Sequence, residues 1–150
     1  MTYPTAESRD IAAPAEKVWG LVSDLPRMGE WSPENSGGTW AKGAQGPAAG
    51  AVFKGRNKDG VRRWSTTATV SDCEAGKVFE IAITVGPFPV SSWRYEFADT
   101  ADGCRVTESW ADHRSGFTRV MARPMGVHDA AHAKSEMAAT LANLAQAAEG

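Results

Sequence analysis

The chain has no run of apolar residues approaching the ~18 to 20 that cross a bilayer. Its opening residues, Met1-Thr2-Tyr3-Pro4, show no basic stretch leading into an apolar core. Neither a membrane span nor a secretory signal is expected, and the sequence reads as a soluble cytoplasmic protein. Excess charge is also lacking: 16 Lys and Arg stand against 18 Asp and Glu, for a net charge of −2. The basic residues are scattered, so nothing marks a nucleic-acid surface. Cysteine is confined to Cys73 and Cys104, widely separated and without a CxxC pair. Two buried thiols are therefore expected rather than a disulfide or a zinc site. No phosphate loop, dinucleotide fingerprint or nucleophile elbow occurs, which leaves nucleotide cofactors and nucleophilic hydrolysis without support, and no cofactor is expected.

Tryptophan, by contrast, is abundant, with six in 150 residues. A chain of this size is expected to form one domain over residues 1–150 and to bury roughly two thirds of its unfolded surface. A small core seldom needs so many large rings, whereas a lined cavity does. Trp64, Trp93 and Trp110 each sit in a run that alternates apolar and polar residues, the mark of a strand with one buried face.

The first strand is predicted around Glu7–Ile11. Pro14 then opens a short helix whose Val18, Trp19, Leu21, Val22 and Leu25 share one side, and Pro26 ends it. A second short helix or turn covers Arg27–Trp31. From there the period is two, predicting strands at 38–41, 51–58, 61–72, 77–84, 90–99 and 104–112. Their connections are short and turn-like, so neighbouring strands are expected to be antiparallel. Phe117–Met125 reads as a separate short helix that could form a lid, bringing Met121 and Met125 to a cavity. A final helix is predicted over about Asp129–Glu149, with Ala130, Ala133, Met137, Thr140, Leu141, Leu144 and Ala148 on one line. That line is small at its start and bulky at its end, as a helix half over a void would be. The fold class is α+β: a seven-stranded curved antiparallel sheet around a long C-terminal helix, with two short helices after the first strand.

In this order of elements, Ile11-Ala12-Ala13-Pro14-Ala15-Glu16-Lys17-Val18-Trp19 resembles the opening motif of the START-like (SRPBCC, Bet v 1-like) superfamily, in its polyketide cyclase/dehydrase and lipid transport branch. Trp31-Ser32-Pro33-Glu34, Arg56-Asn57, Arg63-Trp64-Ser65-Thr66-Thr67 and Arg105-Val106-Thr107-Glu108-Ser109-Trp110 resemble that branch as well. The resemblance implies a helix-grip fold over roughly residues 5–148. It admits lipid carriers, hormone receptors, aromatic cyclases, co-chaperones and oxygenase subunits, among which fold alone does not choose.

Alternation sorts the inward faces as Phe53, Gly55 and Asn57; Trp64, Thr66, Ala68 and Val70; Phe79, Ile81 and Ile83; Trp93, Tyr95 and Phe97; and Val106, Glu108 and Trp110. With Trp31 near an entrance and Ala133 and Met137 on the long helix, these supply the ligand-contacting candidates. Glu108 is the sole catalytic candidate, because a carboxyl between Val106 and Trp110 would be desolvated and its pKa raised. The bland alternatives are that Glu108 pairs with an arginine or amide inside the grip, or that a bulge turns it to water. Asn57 is as well suited to stabilising the adjacent turn as to binding a ligand, and Trp19 to core packing. His128 and His132 have helical i,i+4 spacing but fall about 180° and 140° from the buried line, and His113 follows the last strand. No cluster completes a ligand set around them, so no metal is expected. The functional expectation is binding or transport of a hydrophobic small molecule, whether lipid, fatty acyl or aromatic polyketide. The alternatives are a polyketide cyclase/dehydratase using Glu108 as acid or base, or a protein-interaction regulator. A homodimer is admitted, though no residue marks an interface.

Overall fold

The computed structural model describes residues 5–125 and 129–150, Met125 through its backbone alone. The elements are β1 (Thr5–Ile11), α1 (Ala15–Ser23), a 3-10 helix (Leu25–Glu30), β2 (Asn35–Ala41), β3 (Val52–Asp59), β4 (Arg62–Glu74), β5 (Val78–Val85), β6 (Phe88–Thr100), β7 (Gly103–Asp112), α2 (Gly116–Met121), a single 3-10 turn (Arg123–Met125) and α3 (Ala130–Glu149). The seven strands form one sheet in the order β1-β7-β6-β5-β4-β3-β2, antiparallel throughout. The strands and helices follow the order expected from the periodicity, and the arrangement is the helix grip that the resemblance implied.

Three departures from the predicted pattern have local causes. β4 gains one residue at Ser71, so that Val70 faces Ile81 but Cys73 faces Phe79. Asp72 is thereby free to point outward, where it meets Arg94 at 3.1 Å. β6 gains one at Val90 and extends back to Phe88, beyond the predicted start; Pro89 is tolerated because it lies beside that bulge. α1 stops at Ser23, short of Pro26, which instead occupies the first turn of the 3-10 helix. There a missing N–H costs nothing.

The hairpin pattern gives the sheet two different ends. The β4–β5 and β6–β7 turns, α1 and the C-terminus of α3 share one end. It is closed: Ala12 N donates to Glu149 Oε2 at 2.9 Å and Lys17 Nζ to the Ala148 carbonyl at 2.6 Å. Gly103 belongs to this end, and a Cβ there would stand 2.1 Å from the Ile11 carbonyl oxygen and 2.6 Å from Ala13 N. The core fills this half with Ile11, Val18, Val22, Phe79, Val106, Leu141 and Leu144, each 2 % exposed or less. Trp19 packs edge-on against Phe79 at 6.4 Å and donates its indole N–H to the Val78 carbonyl.

The other end carries the β3–β4 and β5–β6 turns, the end of β7, α2 and the N-terminus of α3. Asp129 caps α3, its carboxylate accepting from His132 N at 2.9 Å. The buried face of α3 is as expected except that Ala130 is exposed, lying in the first turn, and Ala145 is added. Here Trp110, Ala133 and Met137 form a smaller cluster with Trp93 against it.

Truncating Leu144 to Ala is expected to cost about 2–5 kcal/mol in denaturant unfolding, as for buried leucines generally. Gly103→Ala is expected to destabilise comparably through backbone clash. Val61→Ser, at a 96 % exposed hairpin tip, should leave the midpoint almost unchanged.

Candidate functional site

Between the concave face of the sheet and the N-terminal half of α3 lies a cavity of about 500 Å³. It exists because α3 presents Ala133, Glu136 and Thr140 where a tightly packed helix would place leucines. Its walls bring together twelve of the residues expected at a site: Phe53, Asn57, Trp64, Thr66, Ile81, Ile83, Trp93, Tyr95, Glu108, Trp110, Met121 and Ala133. Met28 adds an apolar side chain from the 3-10 helix. Val85, Phe88 and Met121, on the β5–β6 turn and α2, line it while remaining substantially exposed. Phe117, Val120 and Val61 stand exposed at the same end of the sheet. The way in therefore passes an apolar rim.

Three expected residues are not on the wall. Trp31 is 2 % exposed and belongs to the core, with Arg27 over its ring at 5.5 Å and its carbonyl accepting from Asn143 Nδ2. Phe79 points inward as alternation requires and Met137 as its place on the buried line of α3 requires, but both are fully enclosed by neighbours. The Met125 side chain and His128 lie outside the described residues. His113 is exposed, its Nε2 hydrogen-bonded to Ser92 Oγ at 2.8 Å.

The polar groups on the wall fall into two sets. Asn57 Nδ2 donates to Thr66 Oγ1 at 3.0 Å across the β3–β4 pair, so Asn57 is tied to its neighbouring strand. Glu108 lies on β7 directly opposite Tyr95 on β6 and is 2 % exposed. Its Oε1 has no hydrogen-bond partner among the described residues. Burial drives the carboxyl pKa up to about 8, with the Tyr95 hydroxyl pulling weakly the other way. Glu108 is thus chiefly an un-ionised acid at neutral pH, with an O–H to donate. The Tyr95 phenol is pushed well up as well, by its own burial and by the Glu108 carboxyl.

The second set was not anticipated as a group. Glu34, from the segment leading into β2, reaches His132 and Glu136, one turn apart on α3. His132 Nε2 is hydrogen-bonded to Glu34 Oε1 and lies 3.8 Å from Glu136 Oε1. The Glu136 carboxyl is held well above the usual range, first by burial, then by hydrogen bonding to Glu34 and by the negative charges of Glu34, Glu108 and Asp59. Sequence spacing found no third group for the histidines. The fold supplies two carboxylates to His132, and the three donor atoms lie within 4.8 Å of one another. The His132–Glu136 spacing was visible on a helical wheel; the approach of Glu34 was not. Arg114, also on the wall, is held by Asp112 through bonds of 3.0 and 2.9 Å.

Comparison with known proteins agrees with this architecture. The family described as polyketide cyclase / dehydrase and lipid transport matches residues 5–149. No curated protein matches the sequence. Among solved structures, the polyketide cyclase-like protein Cgl2372 of Corynebacterium glutamicum is 31% identical, with 96% of this chain and 83% of that one covered and a TM-score of 0.54. Ginseng major latex-like protein 151 from Panax ginseng superposes with a TM-score of 0.75 at 8% identity, covering 97% and 96% of the two chains. The di-domain ARO/CYC protein StfQ of the steffimycin biosynthetic pathway superposes with a TM-score of 0.72 at 9% identity, covering 96% of this chain and 49% of that one. Both of the last two are similar in fold alone. The match to the family model over almost the whole sequence means that the chain belongs to the polyketide cyclase/dehydrase and lipid transport family.

Proposed function

We propose that the protein binds a hydrophobic small molecule carrying at least one polar group, such as a lipid, a fatty acyl chain or an aromatic polyketide, in the cavity beneath α3. The observation that carries this reading is an apolar-walled void of about 500 Å³ with a few polar groups concentrated beside α3 and β7. That volume falls within the ~300–1,000 Å³ of typical small-molecule sites, where apolar walls supply most of the affinity and a few polar groups set orientation. Burial against Trp64, Trp93, Trp110, Ile81 and Ile83 would hold the body of the guest. The protonated Glu108 would donate to a carbonyl or carboxylate on it, and the apolar rim would ease entry. In this reading the protein acts in the cytoplasm. No helix among the described residues is long and apolar enough to cross a membrane.

A cyclase or dehydratase activity on the same guest is the second reading, and one feature favours it. Glu108 is an un-ionised acid with an unpartnered oxygen, near enough to Glu136 for the ionisation of one to oppose that of the other. In an aldol closure one of these groups would take the proton from carbon as its carboxylate, while the other would give its proton to the carbonyl oxygen that becomes a hydroxyl.

Native mass spectrometry of freshly purified protein is expected to release one small apolar species per chain, and a fluorescent fatty acid should bind saturably. Ala133→Phe, which places a ring in the void, should weaken that binding by about tenfold or more, while folding is retained by circular dichroism. Retained affinity in this variant would remove the cavity from the proposal. Glu108→Gln separates the two readings: a carrier keeps its binding, and an enzyme keeps its binding but loses about 100-fold or more in turnover.

Glu108 also makes stability depend on pH. Its folded pKa of about 8 lies above the ordinary 4.5, so between those values the native state holds a proton that the unfolded chain has released. The stability this gives is complete below about pH 4.5 and is lost as pH rises to about 8. Relative to Glu108→Gln, the wild-type melting temperature should therefore fall progressively between pH 5 and 8 and then run parallel to it. Parallel curves throughout would mean that the carboxyl ionises normally in the fold.

A further inference from the structure

We propose that Glu34, His132 and Glu136 form a binding site for a divalent transition-metal cation, with its open coordination positions turned into the cavity. The donor set is one imidazole nitrogen and two carboxylate oxygens, all within 4.8 Å of one another. Zinc–ligand bonds of ~2.0–2.2 Å need donors ~3–4 Å apart, so small side-chain rotations suffice to close the set. The backbone is already arranged for it. His132 and Glu136 stand one turn apart on one face of α3, anchored just upstream by the Asp129 cap. Glu34 is held in a short segment between Pro33 and β2. The side chains are half-buried or better, at 16 %, 31 % and 14 % exposure for Glu34, His132 and Glu136.

Two carboxyl groups and an imidazole converge at this spot, and a bound cation would favour the ionised form of both carboxyls; Lys58 and Arg63 line the adjoining cleft but are not part of the donor set. The histidine is the one basic group within the set. An independent sign comes from Glu108, which is 98 % buried by its 2 % exposure, lies on the same cavity wall, and has an Oε1 with no partner among the described residues. A water or a guest hydroxyl held on the cation would supply the missing donor. The ligand types select the metal class. The absence of thiolate from the set disfavours Cu(I), and imidazole disfavours Ca²⁺ and Mg²⁺, leaving Zn²⁺, Mn²⁺, Fe²⁺, Co²⁺, Ni²⁺ or Cu²⁺. Three protein ligands with a vacant position is the pattern of metal sites that bind substrate. At the cavity wall such an ion would polarise a carbonyl of the guest or anchor its carboxylate. The metal proposal does not depend on which guest the cavity takes.

The test uses the full chain and the metal alone. Protein stripped with a chelator and dialysed is titrated with Zn²⁺ by calorimetry, and with Co²⁺ followed by its visible absorption. One equivalent per chain is expected. His132→Ala and Glu136→Gln should each lower affinity by about tenfold or more, whereas Glu30→Gln, an exposed acid paired with Arg27, should leave it unchanged. Because a variant could lose affinity by unfolding, thermal melts accompany the titrations: Zn²⁺ should raise the wild-type melting temperature and leave that of folded His132→Ala unmoved. Absence of saturable binding to the wild type overturns the proposal. So does undiminished binding by folded His132→Ala, which would place the metal elsewhere.

Discussion

A long helix laid across a curved sheet makes close contact along its whole length only if its side chains fill the widening gap between them. In this chain they do so at one end. Leu141, Leu144, Ala145 and Ala148 press α3 into the closed end, where Lys17 and Glu149 tie the helix terminus to α1 and the end of β1. Toward its N-terminus α3 offers Ala133, Glu136 and Thr140 to a wall of rings, and the gap remains as a cavity. Everything of functional interest follows from that gradient in side-chain size. The closed end provides the cohesion that allows the other end to be left incompletely packed, since a void lined by Trp93, Trp110 and Ile81 forgoes the dispersion contacts that a filled core would have.

The void also sets the chemistry of its polar residues. Water screening is weak where Glu108 and Glu136 sit, so their protonation states answer to burial and to each other more than to solvent. A buried carboxyl oxygen with no donor is costly, and such atoms call for an explanation, a ligand or a reaction among them. In the same molecule the structural acids look different. Asp112 is neutralised by Arg114 and Arg119, and Glu80 and Asp72 by Arg94, all on the outside or at the margin of the grip. The outer acids are held by arginines, whereas the inner one keeps an oxygen without a donor among the described residues.

The fold was legible because both periods, two in the strands and about three and a half in α3, run for long stretches with turn residues between them. The site was legible in direction but not in depth. Alternation placed Phe79 and Ile81 on one inward face, and both do point inward, yet Phe79 lies under Trp19 in the packed half while Ile81 reaches the void. Met137 and Ala133 divide in the same way along α3. Depth depends on where the helix crosses the sheet, which no local pattern encodes. The Glu34–His132–Glu136 group was hidden for a related reason. Its geometry is a contact between residues 98 apart in sequence, made by a segment with no periodicity of its own. His132 was read as lying off the helix's buried line, toward solvent or a neighbouring loop, and the segment before β2 is that loop.

One feature of the topology bears on how the protein comes into being. β1 lies at the sheet edge and pairs only with β7, Thr5 against Trp110 and Ile11 against Cys104. During synthesis β1 must therefore wait, unpaired, until β7 has left the ribosome, and α3, which covers the hollow, emerges later still. Such distant pairings close slowly. Through that interval the aromatic wall is uncovered, so the surface that lines the cavity in the finished protein is also the one most exposed to wrong partners in the nascent chain.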